Sequence, residues 1–415
     1  MNKRQNIIMI LLVLLIGIPA VAFSYLFFFI IDKLSIDIIN YFKDSFLIII
    51  IPALGGLAVG VLLKFGRLTA RGHGVPLLLS TIKSQKTGLT KSDLRSEFFA
   101  TSFTVLSGGS VGVVGPIIEL TTGITDILGR YFKFDLKNYQ TLIGSGAATS
   151  FTAVFNAPIA AIIFSLEVIN KNWSLKNIFY TTLASFSSLY FKKLVIPNKN
   201  YLFDISINIE SFGTKQYIYL IVFSIFISFI GWIFINLLLF NESIFSKIDI
   251  PLHFKPMLGG LLVGIIGYFL IDIMGTSSTL IAEIQSLKGS ILIITSLLIF
   301  KIIATSFSIG SGGSGGLFAP MILIGLLSGL FFGNIGIEFL PEYAVSPIFL
   351  ALCGITGVFG GLIKAPITSI ILILELFFLP NLVIPLILTA FIPYIILNLL
   401  KVRSIYSPEL FNKNL

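Results

Sequence analysis

Two glycine-rich interruptions in an otherwise apolar chain limit what this sequence can fold into. The first is Ser107-Gly108-Gly109-Ser110-Val111-Gly112-Val113-Val114-Gly115-Pro116, followed by the apolar run Ile117-Ile118-Glu119-Leu120. The second is Gly310-Ser311-Gly312-Gly313-Ser314-Gly315-Gly316-Leu317-Phe318-Ala319-Pro320, and Pro320 stands 204 positions after Pro116. Proline suits a first helical turn, where its missing N–H is not needed. Glycines ahead of it let backbone N–H groups face a small space without Cβ obstruction. A helix start with free N–H groups is an anion site. Irregular backbone at membrane depth survives only where protein or a water-filled cavity surrounds it, and interruptions at matching places in two halves mark a transport site. The pattern therefore predicts a buried anion position inside a membrane protein.

The rest of the sequence agrees. The chain is 56% hydrophobic and 11% charged, with mean hydropathy +1.00, more apolar than a soluble chain of 415 residues needs. A net charge of +9 is read as Lys and Arg held at cytoplasmic loop ends, in clusters such as Lys83-Ser84-Gln85-Lys86 and Lys91-Ser92-Asp93-Leu94-Arg95, rather than as a nucleic-acid surface. The single Cys353 lies in an apolar run, so no disulfide framework and no metal cluster is expected, and no cofactor is implied. Lys3 and Arg4 precede an apolar run in which Ala20-Val21-Ala22 resembles a cleavage site, but the run continues without charge to Ile31. An uncleaved first helix with a cytoplasmic N-terminus is the expectation.

Further spans are expected at 46–63, 217–240, 257–274 and 291–307, after Pro320, around 349–359, and after Pro366 and Pro380. A basic loop is expected over 83–95. Leu194 to Lys215 is the most polar stretch and reads as an extramembrane linker between halves 1–193 and 216–415. The chain ends soon after Tyr406, so no soluble regulatory domain is expected. Short, Gly/Pro-interrupted runs suit tilted and half-spanning helices.

A second motif pair supports duplication. Asn156-Ala157-Pro158-Ile159 leads to Glu167, and Lys364-Ala365-Pro366-Ile367 leads to Glu375, with identical Pro-to-Glu spacing and a 208-residue offset. Gly72-His73-Gly74 with Gly275-Thr276-Ser277 is a weaker third pair. Glu167 and Glu375 would be costly unpaired in apolar helices, and their matching places suggest a role at helix ends. Gly144-Ser145-Gly146-Ala147-Ala148 suits close helix packing. Soluble-enzyme readings fail: Gly310-x-Gly312-x-x-Gly315 lacks a strand–turn–helix context, and Gly108-x-Ser110-x-Gly112 has only His73 and His253 as possible bases, with no paired Asp.

These motifs resemble those of the CLC chloride channel and transporter family, over nearly the whole chain. Gly72-His73-Gly74-Val75-Pro76 is similar to its Gly-Ser-Gly-Ile-Pro motif, Gly112-Val113-Val114-Gly115-Pro116 to Gly-Arg-Glu-Gly-Pro, and Gly316-Leu317-Phe318-Ala319-Pro320 to Gly-Ile-Phe-Ala-Pro. Tyr406 stands where the family has a pore tyrosine. The resemblance implies an all-α membrane protein, an inverted repeat of tilted helices, with an anion path in each subunit of a homodimer. It implies anion contact at Gly72, His73, Gly74, Val114, Gly115, Leu317, Phe318 and Tyr406, and dimer contacts within 158–192 and 366–400. It also implies residence in a cell membrane, plasma or inner, with both termini cytoplasmic.

The departures shape the functional expectation. The family's gating glutamate falls on Val114, and its internal proton-loading glutamate on Val168. Valine carries neither charge nor proton, so a passive chloride channel uncoupled from protons is the leading expectation. The alternatives are an anion/proton exchanger using another group, such as Glu119, Glu167 or His73, and an anion-binding protein with little conduction. His73 in the family's serine position adds a donor that can charge at low pH.

Overall fold

Apolar runs punctuated by proline and glycine become helices of unequal length. The computed structural model describes residues 3–65, 75–76, 79, 88–195, 212–284, 290–378 and 382–407. The N-terminal half contains α1 (Lys3–Leu15), α2 (Gly17–Tyr25), a π turn (Leu26–Asp32), α3 (Lys33–Phe42), α4 (Leu47–Phe65), α5 (Lys91–Leu106), α6 (Val114–Tyr131), α7 (Leu136–Phe155), α8 (Pro158–Phe164) with a second π turn (Ser165–Ile169), and α9 (Leu175–Val195). The C-terminal half contains α10 (Thr214–Lys247), α11 (Lys255–Phe269), α12 (Ser278–Ala282), α13 (Ile291–Gly310), α14 (Phe318–Phe339), α15 (Pro347–Ile363), α16 (Pro366–Phe377) and α17 (Val383–Leu399). Among the described residues the only β pairing is the bridge Gly112–Gly316.

Six helical stretches are long and apolar enough to cross a membrane, among them 4–42, 47–64, 214–247 and 318–339. Others are short: α16 has 12 residues. At 1.5 Å per residue that is roughly 18 Å, well under a hydrocarbon core of about 30 Å. The expected mixture of full and half spans is what forms.

Local chemistry accounts for the departures from the expected boundaries. The first apolar run breaks after Leu15 because Pro19 cannot donate to the turn below it, and α2 restarts at Gly17. The run then continues through a π turn to Phe42, beyond the expected end at Ile31. The last residues of the expected basic loop are the first turn of α5 instead. Thr90 caps it, accepting from the Asp93 N–H at 3.2 Å, while the Asp93 carboxylate accepts from the Thr90 N–H at 2.8 Å. α6 and α14 begin at Val114 and Phe318, two residues ahead of Pro116 and Pro320, so each proline sits inside the first turn rather than opening it. Most of the expected linker lies outside the described residues.

The halves meet through matched contacts. α4 carries Gly55, Gly56 and Gly60, and α11 carries Gly259, Gly260 and Gly264, the same spacing 204 positions later. A Cβ on Gly56 would overlap the Pro256 carbonyl oxygen, and one on Gly260 the Pro52 carbonyl oxygen. The two backbones therefore touch directly, the small-residue crossing that packs helices in lipid. A glycine-to-alanine change in a helix ordinarily stabilises by about 1 kcal/mol. Gly260→Ala should reverse that sign and destabilise by roughly 1–3 kcal/mol through overpacking, read as a lower melting temperature in detergent.

The Ala-Pro helices are also reciprocal. Glu375 at the end of α16 accepts from the Ile159 and Ala160 N–H groups of α8, at 3.0 and 2.8 Å. Glu167 in the second π turn accepts from the Ile367 and Thr368 N–H groups of α16, at 3.2 and 2.8 Å, and from the Thr368 hydroxyl at 2.6 Å. Each half thus caps the helix start of the other, the helix-end role their spacing suggested. Reciprocity of this kind, at constant offset, is the signature of the inverted repeat.

Candidate functional site

The two glycine loops come together at the centre of the repeat. α5 and α13 end in the same way. Gly108 and Gly312 take φ of +84° and +97°, where a side chain would be strained. The N–H of Gly109 bonds back to the Thr104 carbonyl at 2.8 Å, and that of Gly313 to the Ser308 carbonyl at 3.0 Å. The chain then turns to the opposite loop. Gly112 and Gly316 exchange two backbone hydrogen bonds of 2.6 Å each. Gly115 packs against Gly316 so closely that a Cβ there would lie 3.1 Å from the Gly316 Cα.

The loop serines cross between halves. Ser110 Oγ lies 3.0 Å from Thr305 Oγ1 on α13, and Ser314 Oγ lies 2.9 Å from Thr101 Oγ1 on α5. The Ser110 N–H also donates to Ser308 Oγ at 2.9 Å. Ser110, which a hydrolase reading would make a nucleophile, is fully buried in this network.

Two helix starts therefore converge. Val113 and Leu317 are the N-cap residues of α6 and α14, neither has a side-chain cap, and neither helix has an acidic residue in its first turn. The first N–H groups of a helix have no partner within it, and the aligned peptides place about half a positive charge there. Among the described residues no carboxylate accepts from the first turn of α6 or α14. The contrast with α8 and α16, each capped by a glutamate of the other half, is direct.

The predicted contact residues separate into three groups. Val114, Gly115, Leu317 and Phe318 are buried together around the Gly112–Gly316 bridge. Tyr406 joins them: its ring centroid is 5.6 Å from that of Phe318, the residue is buried, and its phenol oxygen has no hydrogen-bond partner. A strap holds it there, with Ile405 N–H donating to the Leu362 carbonyl and Ser404 Oγ to the Ile363 carbonyl, both at 2.9 Å. Phe318 also meets the rings of Phe151, Phe155, Phe164 and Phe359 at centroid distances of 5.1–6.1 Å. Gly72, His73 and Gly74 lie outside the described residues. Val168 is buried in the second π turn, beside Glu167 but without a role in its capping bonds.

Sequence reading missed several buried ionisable residues, Lys301 and Asp32 among them. Lys301 in α13 is fully buried and donates to the Ile273 carbonyl at 3.0 Å, the Gly275 carbonyl at 3.4 Å and Ser277 Oγ at 2.8 Å. It fixes the loop that the sequence paired with Gly72-His73-Gly74. Asp32, carried inward by the first π turn, accepts from the Thr276 and Ser278 hydroxyls at 2.5 and 2.7 Å on that same loop. A charge inside an apolar run was the available signal in both cases. A separate cavity of about 500 Å³, lined by Phe155, Ile159, Leu189, Ile371 and Glu375 among others, involves neither glycine loop.

Comparison with known proteins places this architecture. A family model described as voltage gated chloride channel matches residues 55–398. Protein MJ0305 of Methanocaldococcus jannaschii, described as uncharacterized, is 30% identical over 349 residues, 82% of this chain and 83% of that one. The H(+)/Cl(-) exchange transporter ClcA of Vibrio campbellii is 27% identical over 351 residues, 81% of this chain and 73% of that one. Among solved structures, a slow cyanobacterial Cl-/H+ antiporter superposes with a TM-score of 0.84 at 18% identity, covering 100% of this chain and 99% of the other. A CLC-type fluoride/proton antiporter gives 0.82 at 22% identity, covering 98% and 99%. At those identities the solved structures establish the fold.

Proposed function

The chain belongs to the voltage gated chloride channel (CLC) family, a multi-pass membrane protein that is built as an inverted repeat and moves anions, and from that premise we propose that it is a passive anion channel, chloride first, uncoupled from protons. One observation carries the reading. Of the four helix starts that belong to the two duplicated proline motifs, two are neutralised by glutamates and two, α6 and α14, meet at the repeat junction with no carboxylate accepting from them among the described residues. An anion there satisfies both helix ends. Val114, Gly115, Leu317 and Phe318 supply the backbone donors, and the unpartnered Tyr406 hydroxyl supplies one more. By sequence alone, Gly72, His73 and Gly74 complete the set.

Absence of coupling rests on Val114 and Val168. Both are buried hydrocarbon, so neither binds a proton at a step tied to anion movement. The exchange reactions in the names of several relatives require a titratable group, and these two positions have none.

The same proposal treats 1–193 and 216–415 as the two halves, joined by 194–215, with both termini cytoplasmic in a plasma or inner membrane. Homodimer contact is assigned to 158–192 and 366–400, where Ile159, Phe179, Phe186, Ile384 and Ile395 leave apolar surface exposed on the single chain. Reconstitution tests conduction itself. Chloride-loaded vesicles, with potassium ionophore as the electrical shunt, should release chloride only when the protein is present. Calorimetric chloride binding without release would instead support an anion-binding protein.

A further inference from the structure

We propose that Glu97 and Glu119 together form a buried proton-binding site that holds the second glycine loop in place through Ser314. This site lies outside the helix-start positions and rests on the reading of the glycine loops as the anion site.

The geometry around Glu97 is short of one hydrogen. Thr101 Oγ1 and Ser314 Oγ each lie 3.1 Å from Glu97 Oε1, and the two hydroxyls lie 2.9 Å apart. That is a triangle of three contacts, and two hydroxyls bring only two hydrogens. A proton on Glu97 Oε1 supplies the third: the carboxyl donates to one hydroxyl, that hydroxyl to the other, and the second back to Oε1. Glu97 is itself 5% exposed, so an ionised form there would be poorly solvated.

Glu119, one turn and a half into α6, makes the case stronger. It is 2% exposed, and its Oε2 has no hydrogen-bond partner. The charged groups that act on it are acids, Glu97 and Asp93 of α5. Of the elements packed on α6, α2 carries no charge, α7 carries Lys137, α14 carries Glu338, and the cations of α5, Lys91 and Arg95, are exposed. Asp126 and Arg130, further along α6, pair with each other at 2.9 Å. Two buried carboxyls that repel each other, with no cation paired to either among the described residues, do not both ionise. They titrate as a pair.

The duplication shows that the fold does not require these acids. At the matching positions 204 residues later stand Lys301 and Leu323. Lys301 is satisfied by three acceptors and Leu323 is fully buried hydrocarbon. The serine–threonine crossing is kept in both halves, but only the first half adds an acid to it. The expected consequence follows from the charge. Raising the pH removes the proton and places net negative charge beside Ser314 and the second glycine loop, where it repels the anion, so anion flux falls several-fold as pH rises.

Infrared spectroscopy of the reconstituted full-length protein tests the proton without relying on flux. The carbonyl stretch of a neutral carboxylic acid should be present in the wild type at neutral pH, vanish at alkaline pH, and be lost or shifted in both Glu97→Gln and Glu119→Gln. Glu119→Leu installs the residue of the matched position and serves if the glutamine variant folds poorly. Flux from the same vesicles should lose its alkaline decline in each variant. No acid carbonyl in the wild type, or one untouched by either substitution, overturns the site. A normal acid band with pH-independent wild-type flux overturns the control of the loop. A normal band in protein that passes no anion at all counts against the channel reading and leaves the proton site standing.

Discussion

Val114→Glu should slow chloride efflux by roughly a hundredfold at neutral pH and recover it on acidification. The substitution places a carboxylate at the first residue of α6, where no acid now stands. Above the ordinary glutamate pKa of about 4.3 that group is charged. It then competes for the same N–H donors as the transported anion. Charge-assisted hydrogen bonds contribute about 1.5–3 kcal/mol each, so two of them displace chloride by about 3 kcal/mol or more, near two orders of magnitude in rate. Below its pKa the new side chain is neutral and the block is relieved, so flux rises as pH falls. Measuring the variant in a Glu119→Gln background removes the contribution of the Glu97–Glu119 pair. An efflux rate and pH profile equal to the background protein would mean that residue 114 does not face the anion.

Loss of the reciprocal glutamate caps should give the largest fall in stability. Glu167→Ala leaves the Ile367 and Thr368 N–H groups and the Thr368 hydroxyl without their acceptor. The start of α16 also loses the negative charge that balances its dipole. Hydrogen bonds to a charged group contribute about 1.5–3 kcal/mol each, and unsatisfied donors at a helix start are costly in an apolar setting. A loss of about 3–5 kcal/mol is expected for Glu167→Ala, and about half of that for Glu167→Gln, which keeps one acceptor oxygen. Glu375→Ala should be milder, because Glu375 accepts two N–H groups of α8 and no hydroxyl. Thermal unfolding in detergent gives this order directly. If Glu167→Ala melted with the wild type while abolishing transport, Glu167 would be a transport group and not a cap.

Much of the architecture could be read from the chain because duplication prints each decisive feature twice. The glycine loops, the Ala-Pro starts and the Glu167–Glu375 spacing all recur at 204 or 208 positions. A further recurrence went unread. Gly55-Gly56 with Gly60 and Gly259-Gly260 with Gly264 carry the same offset, and they are the crossing of α4 on α11. What could not be read is which side chains meet across the halves. Ser314 reaches Thr101 and Glu97, and Asp32 reaches Thr276, over more than 200 residues of sequence. Helical periodicity reports the face of one helix and says nothing of its partner. Both π turns were likewise hidden, since they change the facing of Asp32 and Glu167 without a composition signal. That Val114, Gly115, Leu317 and Phe318 would gather where the two loops meet was legible for the opposite reason: glycine and proline shape those loops, and those residues leave a pattern.

A paired recording of chloride and proton movement in the same vesicles tests the central claim most directly. With a chloride gradient, an electrical shunt and no initial pH difference, the account predicts chloride efflux at full rate with no uphill movement of protons. Proton transport driven against its gradient by chloride, in fixed proportion to it, would contradict the account.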